Sequence, residues 1–200
     1  SFDVWSSEQA VRDAGKVEAA IKLLGTRGLT EAKDGALFLK TSQYGDDKDR
    51  VLRKSDGSLT YFVPDIAYHI GKHDRGFERV IDVWGADHHG YIPRMRAALV
   101  ALGYGEAFFE VVLVQLVKVM RGGEEVRMSK RAGDYVTLAD LIEWVGVDAT
   151  RYFFMMRPGQ SPFVFDVDLA RKQTDENPIF YVQMAHARMS GIFRVANRAP

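Results

Sequence analysis

Between Val80 and Val119 the chain sets two Val- and Ile-rich runs, Val80 to Trp84 and Val111 to Val119, on either side of a run of helical period, Ile92 to Leu102, that stops at Gly103. Strands that are apolar throughout are buried on both faces, and a crossover helix between two of them makes a parallel sheet. The pattern predicts an α/β fold. In such sheets ligands bind beyond the C-terminal ends of the strands, so the segments after Trp84 and after Val119 are where chemistry is expected.

The flanks have a different rhythm. Ser7 is expected to cap one amphipathic helix carrying Val11, Ala14, Val17, Ile21 and Leu24, with Gly25 as its stop. Short strand-like runs follow at Ala36 to Lys40 and Arg50 to Lys54, and an Asp56-Gly57 turn leads to Leu59 to Val63, together a small β meander. A helix is expected over Asp65 to Lys72. Downstream helices dominate: Thr137-Leu138-Ala139-Asp140 fits a capping box, Asp148 is expected to cap a helix running through Arg151 to Met156, and Asp168 to open another. Asn177-Pro178 then breaks into a helix whose apolar stripe is Ile179, Val182, Ala185, Met189 and Ile192.

Composition narrows the class. With 46% hydrophobic and 27% charged residues among 200, the chain reads as a soluble globular protein, and no run is apolar enough to span a bilayer. Cysteine is absent, which excludes disulfides, thiolate metal sites and thiol nucleophiles and suits a reducing compartment, so a cytoplasmic location is expected. The formal net charge of +0 argues against binding nucleic acid by bulk electrostatics alone, while a local basic face stays possible. The first residues carry no signal-peptide pattern and no initiating Met, and Pro200 follows closely on a helical run, so a cut at both ends is expected.

The segment after Trp84 reads Gly85-Ala86-Asp87-His88-His89-Gly90. A glycine at a strand-to-helix turn lets a sugar approach the backbone, and an aspartate close behind can accept hydrogen bonds from ribose hydroxyls. The ordinary alternative is a tight turn with a helix-capping Asp. A second alternative is metal binding, since Asp-His-His resembles the signature of the DHH phosphoesterases, but the further aspartates and the glycine-rich motif of those enzymes have no counterpart here. After Val119 comes Arg127-Met128-Ser129-Lys130-Arg131, followed by Ala132-Gly133. Cations on a glycine-flanked loop can hold the β- and γ-phosphates of ATP as charge builds on departing pyrophosphate. The ordinary alternative is a solvated basic turn.

Arg127 to Arg131 resembles the KMSKS signature of class I aminoacyl-tRNA synthetases, with Arg127 departing from the usual first Lys and Lys130 matching the lysine used on the phosphates. Gly45-Asp46-Asp47-Lys48-Asp49-Arg50-Val51, Asp65-Ile66-Ala67-Tyr68-His69, Gly85 to Gly90 and Met128 to Gly133 stand in the order typical of arginyl-tRNA synthetases. Val145 to Ala149, Arg151-Tyr152-Phe153, Asn177-Pro178, Tyr181-Val182-Gln183 and Ala185-His186-Ala187-Arg188 are similar to that family too.

The resemblance implies the second half of a Rossmann-like, parallel-sheet catalytic domain with an inserted α+β lobe and a C-terminal helical segment. Its expected boundaries are a connective insertion over residues 1–60, the catalytic half over 61–136, a helical stem-like region over 137–176 and the first helix of an anticodon-binding domain over 177–200. It implies ATP-dependent joining of L-arginine to tRNA, with Met128, Ser129, Lys130, Arg131 and Arg127 acting on the phosphates and Gly85, Asp87 and His88 binding ATP. Tyr61 and Asp65 match arginine-contacting positions: a carboxylate can fork onto a guanidinium while an aromatic ring covers its plane. Without the resemblance, a strand-ending core Tyr and an Asp stabilising a helix N-terminus behind Pro64 are the favoured reading. Mg²⁺ is expected with ATP, with no protein ligand assigned. Arg188, Arg194 and Arg198 are expected to face tRNA, and a monomer with no membrane association is expected. His69, His73 and His186 are read as structural or surface residues. The first-half His-x-Gly-His motif is missing from these residues, so inactivity of the isolated chain is expected. A noncatalytic nucleotide- or RNA-binding module derived from a synthetase is the competing reading.

Overall fold

The single helix expected after Ser7 is two helices, and glycine is the reason. A computed structural model describes residues 2–126 and 136–196. The Ser7 hydroxyl accepts the Ala10 N–H at 3.4 Å and opens α1 (Glu8–Asp13), but Gly15 takes a left-handed backbone, φ 68°, and restarts the chain as α2 (Lys16–Thr26). An L side chain at that φ is strained, so the break is written in the residue itself. The residues divide into two units, Ser1–Leu113 and Val114–Pro200.

In the first unit, β1 (Thr30–Lys33), β2 (Ala36–Leu39) and β3 (Arg50–Arg53) form an antiparallel sheet in that order. β1 was not expected, because Thr-Glu-Ala-Lys has no apolar alternation; it is an edge strand paired only with β2. The Asp56-Gly57 turn is as expected, with the Asp56 carboxylate accepting the Ser58 N–H at 2.8 Å. The strand expected over Leu59 to Val63 reduces to a single bridge at Leu59, and the chain enters α3 (Phe62–Asp74). Phe62 and Val63 are buried by that helix, so their apolar character marks its core-facing side. β4 (Val80–Gly85), a short 3-10 turn at Ala86–Tyr91 and α4 (Ile92–Ala101) follow, and β4 pairs with β5 (Phe109–Val114) in a two-stranded sheet. Leu24, Leu39, Leu52, Ile66, Met95 and Leu99 anchor one core beneath these elements.

The strand expected over Val111 to Val119 is broken. It ends as β5 at Val114 and restarts as β6 (Val117–Arg121) in another sheet, the Gln115 N–H between them donating to the Gly159 carbonyl at 2.8 Å. In the second unit β6 lies between β7 (Glu124–Glu125), antiparallel, and β8 (Phe163–Asp166), parallel. The Thr137 capping box is present in both directions and opens α5 (Leu138–Val145). α6 (Val147–Met155) starts from Gly146, so Asp148 lies in its first turn and is not its cap. Likewise α7 (Val167–Arg171) is capped by Asp166, which accepts the Leu169 N–H at 2.9 Å, while Asp168 accepts the N–H of Gly122. Asn177 caps α8 (Pro178–Val195) as expected, and its buried amide also donates to the carbonyls of Ala170 and Lys172. Of the predicted stripe on α8, Ile179 is buried whereas Val182, Met189 and Ile192 are exposed. No described helix is long and apolar enough to cross a membrane.

Candidate functional site

The first turn of α3 sets Tyr61 and Asp65 four residues apart, so both rise from one side of a helix start. Tyr61 is 81% exposed and its ring stands free of the core. Asp65 is half-buried, and its Oδ2 accepts the hydroxyl of Tyr91 at 2.7 Å. No hydrogen bond to Asp65 Oδ1 and no salt bridge to its carboxylate occurs among the described residues. A cleft of about 200 Å³ lies beside it, lined by Ser6, Ser7, Glu8, Val11, Pro64, Asp65 and Tyr68.

Burial pushes the Asp65 carboxyl above the usual aspartate range; the Tyr91 bond and the charge of His69 work against that, and the negative charges of Glu8 and Asp82 add to it. A desolvated carboxylate lacking a cation is costly, and a cationic ligand relieves the cost. Beneath it, His69 is buried with both ring nitrogens facing oxygen: Nδ1 lies 2.8 Å from the Asp65 carbonyl and Nε2 3.0 Å from the Asp82 carboxylate. Lys72 donates to the other Asp82 oxygen at 2.7 Å. Burial opposes the charge of Asp82, but these two donors outweigh it and hold that carboxyl below its ordinary range. The group ties α3 to β4 and fixes the helix that carries Asp65. His69 is structural, as expected, and His73 stacks on Tyr104 with ring centroids 4.0 Å apart.

At the C-terminal end of β4, Gly85 turns into the loop of Asp87 and His88. A Cβ at Gly85 would stand 2.5 Å from Asp87 Oδ1, so the absent side chain is what lets the carboxylate lie against the backbone there. Asp87 and His88 are both exposed, with His88 Nε2 3.7 Å from Asp87 Oδ2. The loop ends at Tyr91, whose hydroxyl brings this turn and Asp65 together. Tyr91 was missed by sequence reasoning. The available signal was chemical: a tyrosine next to a core helix needs a partner for its hydroxyl when buried.

Arg127, Met128, Ser129, Lys130 and Arg131 lie outside the described residues, as does Arg198. Arg188 and Arg194 are exposed on α8. Among the described residues no three of His, Cys, Asp and Glu gather as a metal site would need.

Residues 2–155 match the family described as tRNA synthetases class I (R), catalytic domain. An arginine–tRNA ligase of Aquifex aeolicus is 58% identical over 194 residues, which are 97% of this chain and 33% of that relative. One from Geobacter metallireducens is 59% identical over 197 residues, 98% of this chain and 35% of the relative. The chain thus spans about a third of the length of the curated relatives it matches. Among solved structures, one assigned to the arginyl-tRNA synthetases from Campylobacter jejuni superposes with a TM-score of 0.89 at 36% identity, covering 100% of this chain and 43% of its own. A Thermus thermophilus arginyl-tRNA synthetase shares the fold with a TM-score of 0.69 at 22% identity, covering 95% of this chain and 42% of its own.

Proposed function

The chain belongs to the class I tRNA synthetase catalytic domains of the arginyl type, and on that premise we propose that the protein containing it joins L-arginine to tRNA at the expense of ATP. The observation that carries the reading is the Asp65 carboxylate, half-buried at a cleft, with one oxygen held by a tyrosine and no salt bridge to either oxygen among the described residues. A guanidinium supplies the missing charge in a forked geometry, and the exposed Tyr61 ring covers its plane.

In this reading Gly85 lets the nucleoside approach the end of β4, Asp87 takes ribose hydroxyls and His88 lies beside them. The arginine carboxylate attacks the α-phosphorus in line, the bond to the bridging oxygen breaks, and pyrophosphate leaves with the electron pair. Lys130, in the segment Arg127-Met128-Ser129-Lys130-Arg131, neutralises charge that grows on the leaving phosphates. A ribose hydroxyl at the tRNA end then displaces AMP from the adenylate carbonyl. No nucleophile of the chain is required, so positioning and charge stabilisation do the work. Mg²⁺ accompanies ATP as part of the substrate; among the described residues no three of His, Cys, Asp and Glu gather to hold it.

The remaining assignments belong to the same proposal: residues 1–60 as insertion, 61–136 as catalytic half, 137–176 as stem and 177–200 as the start of an anticodon-binding domain, with Arg188, Arg194 and Arg198 toward tRNA, in a cytoplasmic monomer. The test is Asp65→Asn in the full-length protein. Losing a charge-assisted fork raises the arginine KM about 100-fold and erodes selection against uncharged amino acids, with the ATP KM little changed. An unaltered arginine KM and selectivity in a folded variant overturns the arginine site.

A further inference from the structure

Tyr91 stands 26 residues from Asp65 along the chain, yet its hydroxyl reaches Asp65 Oδ2 at 2.7 Å. The ring that carries it is fixed on several sides. Phe62 packs edge-on with centroids 6.0 Å apart, Trp84 at 5.7 Å, and the Arg94 guanidinium lies 5.0 Å above its centre. A side chain held this way cannot follow a drifting carboxylate, so the carboxylate takes its position from the hydroxyl.

We propose that Tyr91 is a positioning residue of the amino-acid site: its hydroxyl holds Asp65 Oδ2 and so fixes the plane in which the carboxylate meets the guanidinium fork of arginine. The proposal rests on the reading of Asp65 given above. It adds that the residue closing the nucleotide turn, Ala86–Tyr91, also sets the carboxylate that selects the amino acid. Burial and the nearby Asp65 charge push the Tyr91 phenol well above its ordinary range, so it remains a donor wherever the enzyme works.

The same bond gives a pH signature. Four ionisable groups face Asp65 from the surrounding elements: Tyr91 from the turn before α4, His69 from α3, Glu8 from α1 and Asp82 from β4. Burial raises the carboxyl; Tyr91 and His69 lower it; Glu8 and Asp82 raise it. Removing the Tyr91 hydroxyl takes away a lowering influence. Asp65 binds guanidinium as the anion, so the acid limb of kcat/KM for arginine must then move to higher pH.

The experiment is Tyr91→Phe in the full-length protein, with Asp65→Asn alongside, the phenyl ring keeping the contacts to Phe62, Trp84 and Arg94. Arginine KM is expected to rise about 10-fold, with kcat and the ATP KM within about 2-fold, and the acid limb to shift upward. An unmoved arginine KM and acid limb overturns the proposal, and so does an equal rise in both KM values, which would make Tyr91 a support of the turn. If Asp65→Asn raises the arginine KM while Tyr91→Phe does not, this inference alone falls. If Asp65→Asn leaves the arginine KM unchanged, the arginine site and this inference fall together.

Discussion

Gly85 and Asp87 show how much one side chain decides at the end of β4. Adding a Cβ at Gly85 sets it 2.5 Å from Asp87 Oδ1, the far end of an exposed side chain that is free to rotate away. Gly85→Ala is therefore expected to cost the fold less than about 1 kcal/mol while displacing the carboxylate, raising the ATP KM about 5-fold and sparing the arginine KM. Steady-state kinetics in the two substrates, with a melting curve, checks this; a rise confined to the arginine KM would contradict it. Residues near in sequence were the legible ones. The spacing of Tyr61 and Asp65 puts both at one helix start, and the Gly85-to-His88 string follows a strand. Tyr91 with Asp65, and His69 with Asp82 and Lys72, were not legible, because each contact depends on how α3 packs against β4 and the turn after it.

Between β2 and β3 the connection is organised by Asp46, a buried carboxylate forked by Arg50, whose Nε and Nη2 both lie 2.7 Å from it. The Arg50 fork holds its carboxyl well below the usual range against the effect of burial. A depressed folded-state value means the pair contributes fully above the ordinary aspartate pKa, about 3.9, and that its contribution fades as pH falls through the strongly acid range. Asp46→Asn removes the charge from the fork and leaves Arg50 with Asp47 as its carboxylate partner, and is expected to destabilise this connection by about 1–2 kcal/mol near neutral pH. Faster amide exchange across residues 41–53, with the difference from the parent shrinking in strong acid, is the expected result; equal protection near neutrality would refute it. The Thr137 box and the Asn177-Pro178 start are as expected, whereas Asp148 and Asp168 are not the caps of their helices and Gly15 divides the first one. Elements without a local signal were not legible: β1 lacks apolar alternation, β8 is four residues long, and the 111–119 run has no breaker to mark its division between two sheets.

At the scale of the molecule, the α/β expectation holds, with β6 and β8 parallel and helices between them in the chain. The chain divides between Leu113 and Val114, inside a run that reads as one continuous strand, and the Gln115 N–H just beyond takes its partner, the Gly159 carbonyl, from far along the sequence. The curated relatives that this chain matches are about three times its length. Arginine transfer is tested by charging of tRNA with radiolabelled arginine by the full-length protein, with Lys130→Ala beside it. The parent is expected to charge with arginine and the variant to lose about 100- to 1,000-fold in kcat, as removal of a transition-state charge partner does, with the arginine KM little changed. A folded full-length protein that binds ATP but transfers no arginine to tRNA would contradict the account and leave a binding module in its place.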